Sequence, residues 1–195
     1  MTDQRRRGDT RERIQAVAVR MFAQRGYDNT SLREIAEELG VTKAALYYHF
    51  KTKEDLVTSL ITDMVKKVDK IIAWAEKQPA EQATRREIVR RFHKALYGGD
   101  DPVAVRDLQR FLQTNQQLIQ ERVKIGEGMR SRFTRLGELL IPADAPPAPR
   151  LKGTMALFTL FAARGLLDQM DIPPAEQSAA ALKVSLDLID SLAEY

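Results

Sequence analysis

Apolar residues recur along this chain at helical spacing, and no stretch alternates in the manner of a β-strand. Ile14, Val17, Ala18, Met21 and Phe22 follow an i, i+3, i+4, i+7, i+8 pattern and predict one amphipathic helix, ended by Gly26. Ser31-Leu32-Arg33-Glu34 has the form of a capping box, in which the serine hydroxyl and the glutamate each satisfy a free backbone amide. Leu32, Ile35, Ala36 and Leu39 then form a stripe, and Gly40 stops the second helix. Thr42 is placed to cap a short third helix that buries Leu46 and Phe50, and Thr52 to cap a fourth. Two short helices joined by a glycine turn and braced by a first helix have the layout of a helix-turn-helix module.

The pattern continues as a long fourth helix from about Lys53 to Gln78, with Val57, Ile61, Met64, Val65, Val68, Ile72 and Ala75 on its stripe. Its length of ~37 Å is enough to link two domains rigidly. A fifth helix covers about Ala83 to Tyr97, with Ile88, Val89, Phe92 and Leu96 inward. Asp101 and Pro102 are suited to start a sixth, to about Gln113, and a seventh is expected from about Gln117 to Leu140. Ile141 to Arg150 holds four prolines and predicts an irregular loop before an eighth helix, Leu151 to Met170. Pro173-Pro174 opens the ninth, to about Ala193. The expected fold class is all-α, with about nine helices. A helix-turn-helix domain over residues 1–55 would be followed by a helical domain over 56–195.

The last two helices are apolar on more than one flank. Met155, Phe158, Ala162 and Leu166 lie beside Leu157, Leu160, Phe161 and Leu167 on one of them. On the other, Ala179, Leu182, Leu186 and Ile189 lie beside Ala181, Val184, Leu188 and Leu192. A helix apolar on two flanks buries two flanks. One flank suits the domain's own core, and the other suits an identical copy across a two-fold axis. Met155, Phe158, Ala162, Leu182, Leu186 and Ile189 are the expected dimerisation residues.

Composition sharpens this picture mainly through charge. With 44% hydrophobic and 30% charged residues in 195, the chain is of ordinary globular type. Its net charge of +4 is not spread evenly. Residues 1–53 hold eleven Lys or Arg against seven Asp or Glu, and the remainder holds twenty of each sign. The excess charge thus coincides with the helix-turn-helix, the footprint expected of a nucleic-acid-binding end. Cysteine is absent and histidine occurs twice, which removes disulfide frameworks and the usual zinc sites. No phosphate-binding loop, dinucleotide fingerprint or HExxH is present, so no cofactor or enzymatic activity is expected. The polar, arginine-rich start is unlike a signal peptide, and the longest apolar run, Met155 to Leu167, is short of the ~20 residues of a membrane helix. A soluble cytoplasmic protein is expected.

Chemistry concentrates in residues 41–53. Lys43 is placed in the first turn of the third helix, where helix-turn-helix proteins meet base edges, and it suits guanine O6 or N7. Ala44 and Ala45 permit close approach. Tyr47, Tyr48 and His49 cannot all face the core, and their polar groups suit phosphates. Lys53, at the start of the fourth helix, and Thr30 and Ser31, at the start of the second, are positioned for phosphates as well.

Ser31-Leu32-Arg33-Glu34-Ile35-Ala36, Gly40-Val41-Thr42-Lys43 and Leu46-Tyr47-Tyr48-His49-Phe50-Lys51-Thr52-Lys53 closely resemble the signature of the tetracycline-repressor (TetR) family of transcriptional regulators, over about residues 10–60. The resemblance implies a dimeric regulator of palindromic double-stranded DNA operators, usually a repressor released by a small effector. It puts Thr42, Lys43 and Ala44 nearest the bases and Tyr47, Tyr48, His49, Lys53 and Thr30 on the backbone. Ala44 stands where members often carry glycine or proline, so no operator sequence is carried over. Arg5, Arg6, Arg7, Arg11 and Arg13 have the look of a basic arm. An activator, or a regulator without an effector, fits the same residues. A helical enzyme or interaction module with an incidental basic end is the reading from another class.

Pockets between helices have apolar walls and a few polar groups. Trp74, Phe92, Phe111, Phe133, Phe158 and Phe161 are the candidate walls of an effector pocket, together with Met129. His93, Arg110 and Gln113, with Asn115 and Arg164, are the candidate polar groups.

Overall fold

The computed structural model describes residues 2–98, 107–108, 111, 115, 126–167 and 170–192, with side chains from residue 10 onward except at 126, 127, 129 and 164. Among the described residues the regular structure is helical: α1 (Thr2–Arg25), α2 (Leu32–Leu39), α3 (Lys43–His49), α4 (Lys53–Ala75), α5 (Gln82–Tyr97), α6 (Gly126–Leu140), α7 (Pro147–Leu167) and α8 (Pro174–Asp190). The all-helical expectation holds. Of the expected sixth helix only residues 107, 108 and 111 are described, all helical, and the first part of the seventh lies outside the described residues. None of the described helices is long and apolar enough to cross a membrane.

The chain divides into two compact units, residues 1–63 with 100–125 and residues 64–99 with 126–195. In the first, Ile14, Ala18, Met21 and Phe22 of α1 are buried, as are Leu32, Ile35 and Ala36 of α2. Leu46, Phe50, Leu56 and Val57 are buried in the same unit. A polar clip joins α1 to α4. Gln15 Nε2 donates to Ser59 Oγ and to Asp63 Oδ2, both at 2.9 Å, and Arg11 reaches Asp63 at 2.9 Å.

The second unit packs α5, α6, α7 and α8 with the C-terminal half of α4. Val68, Ile71, Ile88, Val89, Phe92, Leu136, Leu140, Leu157, Leu160 and Ile189 form its core. Tyr97, buried with them, donates its hydroxyl to the Leu160 carbonyl at 2.8 Å. Arg85, marked by no sequence pattern, is also buried and donates to the Leu192 carbonyl at 3.4 Å.

One boundary differs from expectation. The loop before α7 is shorter than Ile141 to Arg150, because the helix already begins at Pro147. Proline lacks an amide hydrogen, but the first-turn amides of a helix have no intrahelical acceptor, so Pro147 and Pro149 cost no hydrogen bond there. Proline richness marked a helix start rather than a continuous loop.

Candidate nucleic-acid interface

The helix-turn-helix is set by local hydrogen bonds. Ser31 Oγ accepts from the Glu34 amide at 3.2 Å, and the Ser31 amide donates to Glu34 Oε2 at 2.8 Å, completing the capping box. The Ser31 hydroxyl donates to the same carboxylate oxygen at 2.6 Å. These bonds hold the Glu34 carboxyl below its usual pKa. At the other end of α2, Gly40 takes φ 71°, and the Val41 amide turns back to the Ala36 carbonyl at 3.0 Å. A Cβ at Gly40 would meet nothing within 4 Å, so backbone conformation rather than space selects glycine.

Thr42 then caps α3, its hydroxyl accepting from the Ala45 amide at 3.2 Å. Thr52 repeats the device at α4. The Asp55 amide donates to Thr52 Oγ1 at 3.0 Å, and the Thr52 amide donates to Asp55 Oδ2 at 3.1 Å. Leu46 and Phe50 point inward, 0% and 3% exposed. Thr42, Lys43 and Ala44 therefore stand exposed on the opposite side, in the first turn of α3.

Next to that turn lies an open cavity of about 390 Å³, lined among others by Thr30, Ser31, Tyr47 and Lys53. Four of the residues expected on phosphates thus meet around one space. Their hydroxyls and charge are not equally available. The Thr30 side chain is buried and donates to the Gly26 carbonyl at 2.9 Å. Lys53 Nζ donates to the Tyr27 carbonyl at 2.7 Å and lies 4.3 Å from the centre of the Tyr27 ring. Tyr47 is 40% exposed. The amides of Leu32 and Arg33, in the first turn of α2, have no intrahelical acceptor and so suit an anion. Asp28, Glu34 and Glu54 also line the cavity. Glu34 and Glu54 sit in first turns of α2 and α4, where the helix dipole favours them.

Tyr48 and His49 point elsewhere. Tyr48 is 64% exposed, and its ring stands edge-on to His49 at 5.2 Å. His49 is half-buried beside Phe50. Of the arginine arm, residues 5–7 carry no described side chains. Arg11 is committed to Asp63, and Arg13 is exposed. Tyr27 was missed by the sequence reading. Its position just after Gly26, with Lys53 a whole module away, gave no local signal.

The residues expected to line an effector pocket are only partly brought together. Phe92 meets Phe133 edge-on at 5.5 Å, and Phe133 meets Phe161 at 6.3 Å. Phe133 and Phe158 line a cavity of about 280 Å³ with Ile141, Leu157, Arg130 and Arg150. Trp74 is half-buried beneath the guanidinium of Arg91, 3.8 Å from its ring. His93 stacks on Tyr97 at 4.9 Å, with Nε2 2.9 Å from Ser178 Oγ, and burial lowers its pKa from the usual value. Phe111 is not with these residues. It is 1% exposed and packs in the first unit against Phe22 at 5.3 Å and Tyr27 at 6.0 Å. Arg110, Gln113 and the side chains of Met129 and Arg164 lie outside the described residues. Asn115 donates back to the Phe111 carbonyl at 2.9 Å.

Of the expected dimerisation residues, Met155 and Phe158 are 39% and 53% exposed. Ala162, Leu182 and Leu186 are half-buried. Ile189 is fully buried in the unit's own core, whereas Val184, one turn away from Leu188 on α8, is 48% exposed.

Comparison with known proteins agrees with this geometry. The profile described as "Bacterial regulatory proteins, tetR family" matches residues 14–60. The HTH-type transcriptional regulator AcrR of Shigella flexneri is 50% identical over 52 residues, which are 27% of this chain and 24% of that protein. The fatty acid metabolism regulator protein of Bacillus subtilis is 32% identical over 114 residues, 57% of each chain. The chain thus matches about a quarter of the first relative's length and just over half of the second's. The crystal structure of Mycobacterium smegmatis AmtR shares the fold, with a TM-score of 0.70 over 92% of this chain and 85% of that one at 22% identity. Residues 14–60 thus match the tetR family of bacterial regulatory proteins.

Proposed function

We propose that the chain is a DNA-binding transcriptional regulator, a repressor that binds a palindromic operator as a homodimer. One observation carries the DNA-binding part. The exposed first turn of α3, with Thr42, Lys43 and Ala44, stands beside a cavity that gathers Ser31, Tyr47 and Lys53 at the N-terminus of α2. The first group suits base edges in the major groove, and the second suits a backbone phosphate that fixes register. Selection from random duplexes, followed by binding of the winning site at several salt concentrations, tests this. A palindromic winner with a steep salt slope is expected. Salt-insensitive binding, or no enriched sequence, rejects the reading.

The homodimer rests on the outer face of α7. Leu151, Met155, Phe158 and Leu166 are all exposed at i, i+4, i+7, i+15 spacing, a stripe that a second copy would cover. Release by a small effector is supported by the cavity beside Phe133. Its wall is apolar. Arg130, Arg150 and Glu138 also line it, and Glu138 is paired with Arg135 at 3.2 Å, which leaves the two arginines to meet a ligand. That chemistry favours an amphipathic carboxylate, as does the long match to a fatty acid metabolism regulator. Decanoate releasing the operator, with decanol failing to do so, is the expected result. Equal effects of the two would remove the role given to the arginines.

A further inference from the structure

Three buried rings meet in the first unit: Phe22 lies 5.2 Å from Tyr27 and 5.3 Å from Phe111, and Tyr27 lies 6.0 Å from Phe111. Tyr27 is 5% exposed and Phe111 1%. Tyr27 also holds Lys53 twice, by its carbonyl at 2.7 Å and by its ring, whose centre lies 4.3 Å from Nζ. Phe111 comes from a part of the chain far beyond the helix-turn-helix, yet it packs inside that module's core.

We propose that Tyr27 is a positioning residue for the Lys53 contact with a DNA phosphate, and that Phe111 sets operator affinity by holding Tyr27 in place. A lysine ammonium has three donors, and one spent on the Tyr27 carbonyl leaves two for a phosphate in the adjoining cavity. A free lysine loses substantial rotamer freedom when it binds. A lysine already tied to Tyr27 has lost much of it beforehand, so less affinity is lost on ordering. The aromatic face adds a second restraint, since a cation over a ring is attracted to its centre. If Phe111 withdraws, the space beside Tyr27 empties, the ring tilts into it, and the restraint on Lys53 loosens. Phe111 thereby gains a direct hold on a DNA contact, with no change in α3.

This inference rests on the DNA-binding reading, and the test separates the two. In the full-length protein without DNA, the ε-methylene protons of Lys53 should be shifted upfield by the Tyr27 ring. Phe111→Ala should move them toward the ordinary lysine position, and Phe111→Leu should largely keep them. With the selected operator, Lys53→Gln should lower the slope of log affinity against log salt by about 0.9 for each head, one phosphate contact. Phe111→Ala should reproduce a large share of that loss, and the double variant should lose no more than Lys53→Gln alone. Thermal melts identify any variant that fails to fold, in which case Phe111→Leu carries the comparison. An unshifted Lys53 resonance in the parent protein overturns the positioning geometry whatever happens with DNA. A normal upfield shift with no operator binding overturns the DNA-binding reading, and this inference with it. Full salt slope in Phe111→Ala, or additive losses in the double variant, reduces Phe111 to plain core packing.

Discussion

The two units of this chain reach stable helical packing by different routes. In the first, α2 and α3 have 8 and 7 residues, lengths at which an isolated helix is unstable in water. Each is therefore fixed by side-chain caps at Ser31 and Thr42 and by the left-handed turn at Gly40. In the second, α5, α6, α7 and α8 have 15 to 21 residues, and among those with resolved caps neither Glu81 nor Pro173 makes a side-chain cap bond. Their order comes from mutual burial of apolar faces. The lesson is that short helices carry their instructions in polar residues at their ends. Long helices carry them in apolar residues along their length, and such residues do not say which helix they meet.

The largest effect expected from this contrast concerns the two cores. Leu46→Ala in the first unit and Leu160→Ala in the second remove side chains that are each fully buried. Each should cost about 2–5 kcal/mol by urea unfolding. Operator binding, measured where both variants remain folded, should fall far more for Leu46→Ala, because Leu46 sets the direction of α3. Equal losses of binding at equal losses of stability would erase the functional distinction between the units.

Next in size is a test confined to the second unit. Met155→Glu puts a charge on an exposed stripe, while Ile189→Glu puts one in a closed core. The first should give a folded monomer by light scattering that no longer binds a palindrome tightly. The second should unfold the unit, since an unpaired buried carboxylate is far costlier than an exposed one. A folded dimer of Met155→Glu would remove α7 from the interface.

What was legible in the sequence follows the same division. The capping box, the Gly40 turn and the Thr42 cap were readable because each is written within four residues. Phe111 was misplaced because an aromatic residue at helical spacing fits any apolar neighbour. Only the folded chain puts it against Phe22 and Tyr27 rather than Phe92 and Phe133. The proline cluster was ambiguous for a related reason: it fits either a loop or a first turn, and α7 uses it as both. On α8, periodicity gave two apolar flanks. It could not say that Ile189 turns inward while Val184 turns out.

Within the first unit, Lys43 and Lys53 should separate by kind of contact. Lys43→Ala should lower specific affinity by roughly fivefold to 150-fold for each head, the range of about 1–3 kcal/mol for a good base contact. It should also relax preference at one base pair in a repeated selection. Lys53→Gln should weaken all sequences alike. If both variants lower affinity uniformly, α3 clamps the backbone and does not read bases.

The smallest expected effect belongs to His93, the second unit's one described histidine. Burial among α5 and α8 lowers its pKa from 6.5, against an opposing Ser178 hydrogen bond. Folding therefore favours the neutral ring, and below pH 6.5 the unfolded chain binds more protons than the folded one. Stability contributed by neutral burial is fully present above the unfolded pKa and is lost as pH falls from 6.5 through the lower folded value. Urea midpoints measured from pH 7.5 to 5.5 should drop more steeply in the parent than in His93→Gln, which keeps a hydrogen-bonding side chain beside Ser178 without a titrating ring. A steeper drop in the variant would reverse the sign and show that the folded state stabilises imidazolium.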